Sequence, residues 1–318
     1  MNPELAAPLH WRGQTGPSLR ALVGSTRVEL DPAGVRAAFG EAEPGDATCI
    51  LGAARPWPRL PRRAPPRPLP PLLRAACANI PPGPAALALS GGVDSAVLAA
   101  LLRGHVRAYT LVPDLPGYSE ADEAQAIADA LAIPLRRVHV GEHDFLAALP
   151  AAIAACECPL YNLHPVSRLL LARAARADGC AVLVSGDGAD EVFRGTSGAD
   201  YLPIVGALTR AAGLTAFAPF LDPVLAAAAQ DPGKQALREL ACELGVPEAI
   251  AWRPKAPRYA PAMDLSRHHD ADHIAALARS LGRAPAASSD RERMAWTTLS
   301  LFARNLPGLD LSCVASPD

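Results

Sequence analysis

The chain has 318 residues, 50% of them hydrophobic and 19% charged, which suits one large or two modest globular domains and excludes a disordered or fibrous protein. Its 30 basic and 32 acidic residues leave a formal charge of -2, so no broad positive field exists to hold a nucleic-acid backbone or an anionic membrane. Nucleic acid and membrane are therefore not expected partners, and no run approaches the ~18 apolar residues of a membrane helix. Residues 1–54 are read as a small N-terminal region with strands at Ala21–Val23, Arg27–Leu30 and Thr48–Leu51 and a short helix near Pro32–Phe39. That is too little for an independent domain, so a reduced or docking region is expected.

Residues 55–84 are rich in proline and arginine, with prolines at 56, 58, 61, 65, 66, 68, 70, 71, 81, 82 and 84. Proline fixes φ and lacks an amide donor, so this stretch is expected to run extended as a linker. From residue 85 to about 310 a single larger domain is expected. Short apolar runs at Ala86–Leu89, Ala108–Val112, Leu135–Val140 and Ala181–Val184 alternate with helical patterns near Ala96–Leu102, Glu120–Leu131, Asp144–Ala155 and Ser167–Ala177. This alternation predicts an α/β fold with a doubly wound parallel sheet. The second helix opens with Ser119 and Asp122 at capping-box spacing, and its Ala124, Ile127, Ala128 and Leu131 share one face. Beyond about residue 200 the pattern is mostly helical, interrupted at Phe217–Pro223 and Pro254–Pro261.

Two loops carry the chemistry. Ser90-Gly91-Gly92-Val93-Asp94-Ser95 lies at a strand-to-helix turn. Glycines there let backbone amides approach an anion, the helix start adds its positive end, and Ser90 and Ser95 add hydroxyl donors. Asp94 would face phosphate, which a carboxylate tolerates when a divalent cation lies between them. The second loop, Ser185-Gly186-Asp187-Gly188-Ala189-Asp190-Glu191, also follows an apolar strand, so both should open onto one crevice at the carboxyl ends of the strands. Asp94 and Asp190 are the expected magnesium ligands, while Asp187 and Glu191 bind metal, orient substrate or support the loop.

The first loop resembles the SGGxDS loop of the ATP pyrophosphatase superfamily, and the second is similar to the SGDGADE loop of its asparagine synthetase branch, which includes beta-lactam synthetase-like enzymes. Glu157 and Pro159, the run Pro219-Phe220-Leu221-Asp222, and Lys255 after Trp252-Arg253-Pro254 match in the same order. The resemblance implies an adenine nucleotide alpha hydrolase-like PP-loop fold with a helical C-terminal part. It implies an ATP- and Mg2+-dependent ligase that adenylates a carboxylate, releases pyrophosphate and passes the acyl group to ammonia or an amine. On that pattern Ser90, Gly91, Gly92, Asp94, Ser95, Leu111, Ser185 and Gly186 bind ATP, and Lys255, Asp187, Glu157 and Tyr161 are the catalytic candidates. Glu157 or Tyr161 would deprotonate the attacking amine or hold an amino-acid substrate.

Lysine is scarce: Lys234 and Lys255 are the only two, against many arginines. A compact ammonium kept at Lys255 suits pyrophosphate departure, whereas Lys234 is expected on the surface. Asn2 follows Met1 where the family's glutaminase has its nucleophilic cysteine, and only 89 residues precede the first loop, so glutamine hydrolysis in cis is not expected. Ammonia would come free or from a separate glutaminase or biosynthetic partner. Phe193-Arg194-Gly195-Thr196 and Phe217-Ala218 depart from the family pattern at positions that shape the acceptor side of the pocket in relatives, which leaves aspartate an open question as substrate. The seven cysteines form no CxxC pair and suggest reduced thiols in a cytoplasmic protein. His268, His269, Asp270, Asp272 and His273 are taken as a solvated helix start rather than a metal site. A different class is a non-catalytic or partner-dependent subunit that keeps the fold as a scaffold. A third is a nucleic-acid thiolase of the same superfamily, disfavoured by the slightly acidic charge.

Overall fold

The computed structural model describes residues 19–23, 26–30, 63–115, 117–156, 160, 163–194, 201–229, 231–254, 263–280 and 290–304. The chain divides into two compact units. One comprises Met1–Trp57, Leu146–Pro165 and Ala262–Asp318; the other comprises Pro58–Phe145 and Val166–Pro261. In the first unit β1 (Leu19–Val23) and β2 (Thr26–Leu30) pair as an antiparallel hairpin, close to the two expected strands. The expected helix near 32–39 and strand at 48–51 lie outside the described residues.

The second unit opens with a departure from expectation. Residues anticipated as extended linker form helix α1 (Leu69–Ala78), with Pro70 and Pro71 in its first turn. A proline there loses no helical hydrogen bond, because the first amides have no partner in any case. Leu69, Leu72, Leu73, Ala76 and Cys77 recur at helical spacing and are all buried. Covering an apolar side chain of this size stabilises by about 1.5–3 kcal/mol, which outweighs the proline content. Just upstream, Arg63 donates to the carbonyls of Ala229 and Val192 at 2.9 and 3.0 Å and is fastened to the same unit.

The rest is the expected α/β pattern. In chain order come β3 (Ala85–Ala88), α2 (Val93–Leu101), β4 (Val106–Pro113), α3 (Ala121–Ala130), β5 (Leu135–Val140), α4 (Glu142–Cys156, counted with the first unit from Leu146 on), α5 (His164–Ala177), β6 (Val182–Val184) and α6 (Ala189–Arg194). They are followed by α7 (Tyr201–Ala211), β7 (Thr215–Phe217), a 3-10 turn at Pro219–Leu221, α8 (Pro223–Ala228), α9 (Gln235–Glu243) and α10 (Glu248–Ala251). The sheet is parallel with order β5-β4-β3-β6-β7. Strand β7 is not anticipated by the sequence: it has three residues, two of them exposed, and so no apolar run to betray it.

Both faces of the sheet are covered, as a doubly wound fold requires. Ala85 and Leu87 of β3 and Val182 and Val184 of β6 belong to a core with α1, α2, α3, α9 and α10. The alternate residues Ala86 and Leu183, with Tyr109, join Leu171, Ala172 and Ala175 of α5 in a second core. The chain builds β3, β4 and β5 toward one edge, then crosses to β6 and β7 on the other. The order therefore reverses between β3 and β6, and the crevice lies beyond their carboxyl ends.

The first unit also holds α11 (Ala271–Ser280) and α12 (Asp290–Arg304). His269 and His273 meet the hydroxyls of Thr297 and Ser300 on α12 at 3.2 and 2.7 Å, while His268 Nε2 contacts the Leu146 carbonyl at 2.7 Å. The imidazoles thus tie neighbouring segments together. Among the described residues, no helix is long and apolar enough to cross a membrane.

Candidate active site

The loop after β3 is drawn tight by its own serines. The Ser95 hydroxyl accepts from Ser90 N at 3.1 Å and lies 3.0 Å from Ser90 Oγ, and its proton can reach the carbonyls of Ser90 or Gly92. Ser95 is buried, so this knot belongs to the fold, while Ser90 stays exposed. Gly92 caps α2, placing the positive end of a nine-residue helix at the loop. Gly91 leaves no room for a side chain: a Cβ there would lie 2.6 Å from Glu123 Cβ and 2.7 Å from Arg253 Nη2.

The loop after β6 rests directly on the first. A Cβ on Gly186 would lie 3.1 Å from Asp94 Cβ and 3.3 Å from Ser95 N. Gly188 has φ 90°, a conformation open to glycine, and faces Leu221 closely. The Ser185 amide donates to the Phe217 carbonyl at 3.0 Å, so β7 and the Pro219–Leu221 turn brace this loop. Asp187 accepts from Ser185 Oγ at 2.5 Å and from Arg168 at 2.8 Å, an arrangement that holds the loop through α5. Asp222 accepts from the amides of Val224 and Leu225 and caps α8.

The charged centre differs from expectation. Lys234, expected on the surface, is 2% exposed. Its ammonium donates to both carboxylate oxygens of Asp94 at 2.7 Å and lies 2.7 Å from Asp190 Oδ1. It sits at the start of α9 with φ 60° and ψ 35°, a left-handed conformation that costs a non-glycine residue about 1 kcal/mol or more. Asp231 holds that turn by accepting from the amides of Ala236 and Leu237. A sequence reader could have found Lys234 by applying to both lysines the scarcity argument that favoured Lys255.

A second cation was also overlooked. Arg253 donates to the Gly91 carbonyl at 2.9 Å, pairs with Glu123 and reaches Glu120 at 3.5 Å. Arg238 of α9 in turn donates to the carbonyls of Ala251 and Arg253 and stacks on Trp252 with 5.8 Å to the ring centroid. Helix α9 therefore sets both the buried lysine and the approach of Arg253 to the phosphate loop.

Ser90, Gly91, Gly92, Asp94, Ser95, Ser185, Gly186, Asp187 and Asp190 thus lie on two loops that meet beyond β3 and β6. Leu111 is half-buried on β4, two residues past the Ala88–Tyr109 pair and so level with the phosphate loop. Glu157, Tyr161 and Lys255 lie outside the described residues. Asp94 and Asp190 are partly open, at 23% and 26% exposure, and converge on one cation with hard oxygen donors. That donor set fits Mg2+ shared with phosphate oxygens.

Residues 82–207 match the sequence profile of the Asparagine synthase family. The chain is 37% identical over 110 residues to a putative glutamine-hydrolyzing asparagine synthetase of Mycobacterium bovis, a match covering 34% of this chain and 17% of that protein. It is 30% identical over 130 residues to the amidase chry2 of Gibberella zeae, covering 35% of this chain and 19% of the relative. The chain thus spans less than a fifth of the length of these relatives. An NMN synthetase structure from Francisella tularensis aligns at TM-score 0.39 and 19% identity over 72% of this chain and 90% of that one. Residues 82–207, which carry both glycine-rich loops, are thus similar in sequence to the asparagine synthase family.

Proposed function

We propose that the chain is an ATP-dependent ligase that forms amides by way of an acyl-adenylate. The observation that carries this reading is the meeting of the Ser90–Ser95 and Ser185–Glu191 loops at the switch point, with Asp94 and Asp190 on one cation. The family match over 82–207 supports it. In this reading the synthetase region runs over 85–310, and residues 1–54 are a reduced or docking region. The compartment is taken as cytoplasmic, in keeping with the thiols of Cys77, Cys180 and Cys242, which form no disulfide.

The loop amides, Ser90 and the start of α2 hold the triphosphate. A substrate carboxylate oxygen attacks the α-phosphorus, and the bond from that phosphorus to the bridging oxygen breaks, releasing pyrophosphate. Magnesium held by Asp94 and Asp190 would neutralise charge on the departing pyrophosphate. Lys255 is assigned a second cationic role toward the same group. Ammonia or an amine then attacks the acyl carbon, AMP leaves, and Glu157 or Tyr161 takes the amine proton. Asp187, fixed by Arg168 and Ser185, keeps the second loop in place for both steps.

Pyrophosphate release with hydroxylamine trapping, run across a panel of carboxylates, tests the reading. Wild type should release pyrophosphate with at least one carboxylate, and Asp94→Ala and Lys255→Ala should abolish it. Absence of nucleotide binding by wild type, or full activity in both variants, would refute the reading.

A further inference from the structure

We infer that Lys234 is a built-in counter-ion that makes divalent-metal binding by Asp94 and Asp190 conditional on nucleotide, an inference that rests on the reading of this site as an ATP site. Together these two carboxylates and this ammonium carry a single net negative charge. The ammonium occupies the point between them, 2.7 Å from each carboxylate. A metal ion arriving alone would have to share its ligands with a cation already in contact with them, and like charges at that range repel strongly. A metal ion arriving with a triphosphate brings enough negative charge to lie beside the ammonium.

The ammonium is enclosed at the place it occupies. It is 2% exposed, and its backbone is fixed by the left-handed turn at the start of α9 and by Asp231, which accepts from Ala236 and Leu237. The device would keep Asp94 and Asp190 close together in the empty enzyme and leave them ready for a metal–nucleotide complex. Lys234 is thus a positioning residue, acting on the carboxylates rather than on the reacting atoms.

Lys234→Met keeps the stem and the backbone conformation and deletes only the charge. Mn2+ alone should leave the unfolding temperature of wild type unchanged but raise that of K234M. By calorimetry K234M should bind Mn2+ alone at least about tenfold more tightly than wild type. Equal affinity of the two proteins for Mn2+ alone would overturn the inference. If K234M does not fold with or without Mn2+, wild type decides: stabilisation by Mn2+ alone overturns the inference, and stabilisation only when α,β-methylene-ATP is also present supports it. Failure of wild type to bind the analogue at all, with the K234M gain still seen, would count against the ATP reading instead.

Discussion

Arg253 provides the most demanding test of the site geometry, because one side chain ties the phosphate loop to the helix α3 entrance two residues before Lys255. Arg253→Ala removes a charge-assisted hydrogen bond to the Gly91 carbonyl and an ion pair with Glu123. Such a hydrogen bond contributes about 1.5–3 kcal/mol, and the side chain is 31% exposed, which favours the lower end. The Glu123 pair, at 30% exposure, adds about 0.5–1 kcal/mol, and the 3.5 Å contact with Glu120 adds little. The sum is about 2 kcal/mol, which for a unit of this size lowers the unfolding temperature by about 4–8 °C.

The same change frees the Gly91 carbonyl, so the loop amides lose their fixed aim and the rate of pyrophosphate release should fall together with stability. Arg253→Lys should be intermediate, because a single ammonium can serve the Gly91 carbonyl or Glu123 but lacks the fork that serves both. A double-mutant cycle with Glu123→Ala should return a coupling of about 0.5–1 kcal/mol. Thermal unfolding and steady-state pyrophosphate release measure these effects. An R253A protein with an unfolding temperature within about 1 °C of wild type and an unchanged rate would refute the latch.

Gly91→Ala should weaken nucleotide binding by at least about fivefold, since its Cβ would meet Glu123 and Arg253 below 3.0 Å, whereas Gly186→Ala, with contacts from 3.1 Å, should do less in the same titration. Burial pushes the Cys77 thiol up to about 12, so at pH 8 it should resist a thiol reagent in the native protein and react after unfolding, as mass spectrometry of the labelled peptides would record. Burial, and secondarily Arg304, pushes the His273 imidazole below its ordinary 6.5, against an opposing pull from Asp270. The unfolded chain then binds more protons below pH 6.5, so stability should fall as pH drops through 6.5, and His273→Asn should flatten that slope in thermal unfolding between pH 7.5 and 5.5.

The fold was legible wherever burial left a periodic trace. Leu135–Val140 is the strand expected there, and Ala124, Ile127, Ala128 and Leu131 form the buried face their spacing predicts. The readings failed where one physical rule was allowed to stand for all. Eleven prolines between 56 and 84 suggested an extended linker, yet only Pro70 and Pro71 fall within α1, both in its first turn, and the leucines behind them carry a 3–4 spacing that proline density masked. Strand β7 left no trace because its side chains are largely exposed and its place is set by pairing with β6.

The site shows a sharper version of the same limit. The glycines, serines and carboxylates of the two loops are adjacent in sequence, so their chemistry could be read from spacing. Two of the cations that reach these loops come from more than a hundred residues away: Lys234 reaches Asp94 from 140 residues downstream, and Arg253 reaches the Gly91 carbonyl from 162. Neither approach follows from local pattern, because it depends on α9 packing against α2 in the core below the loops. A long-range cation is nonetheless not arbitrary. Two carboxylates drawn together beside an anion-binding turn repel unless a positive group lies between them, and a chain with only two lysines has few compact ammonium groups to spend there. The acidic loops therefore demand a counter-ion before any metal arrives, and that electrostatic demand, rather than a motif, is what singles out Lys234.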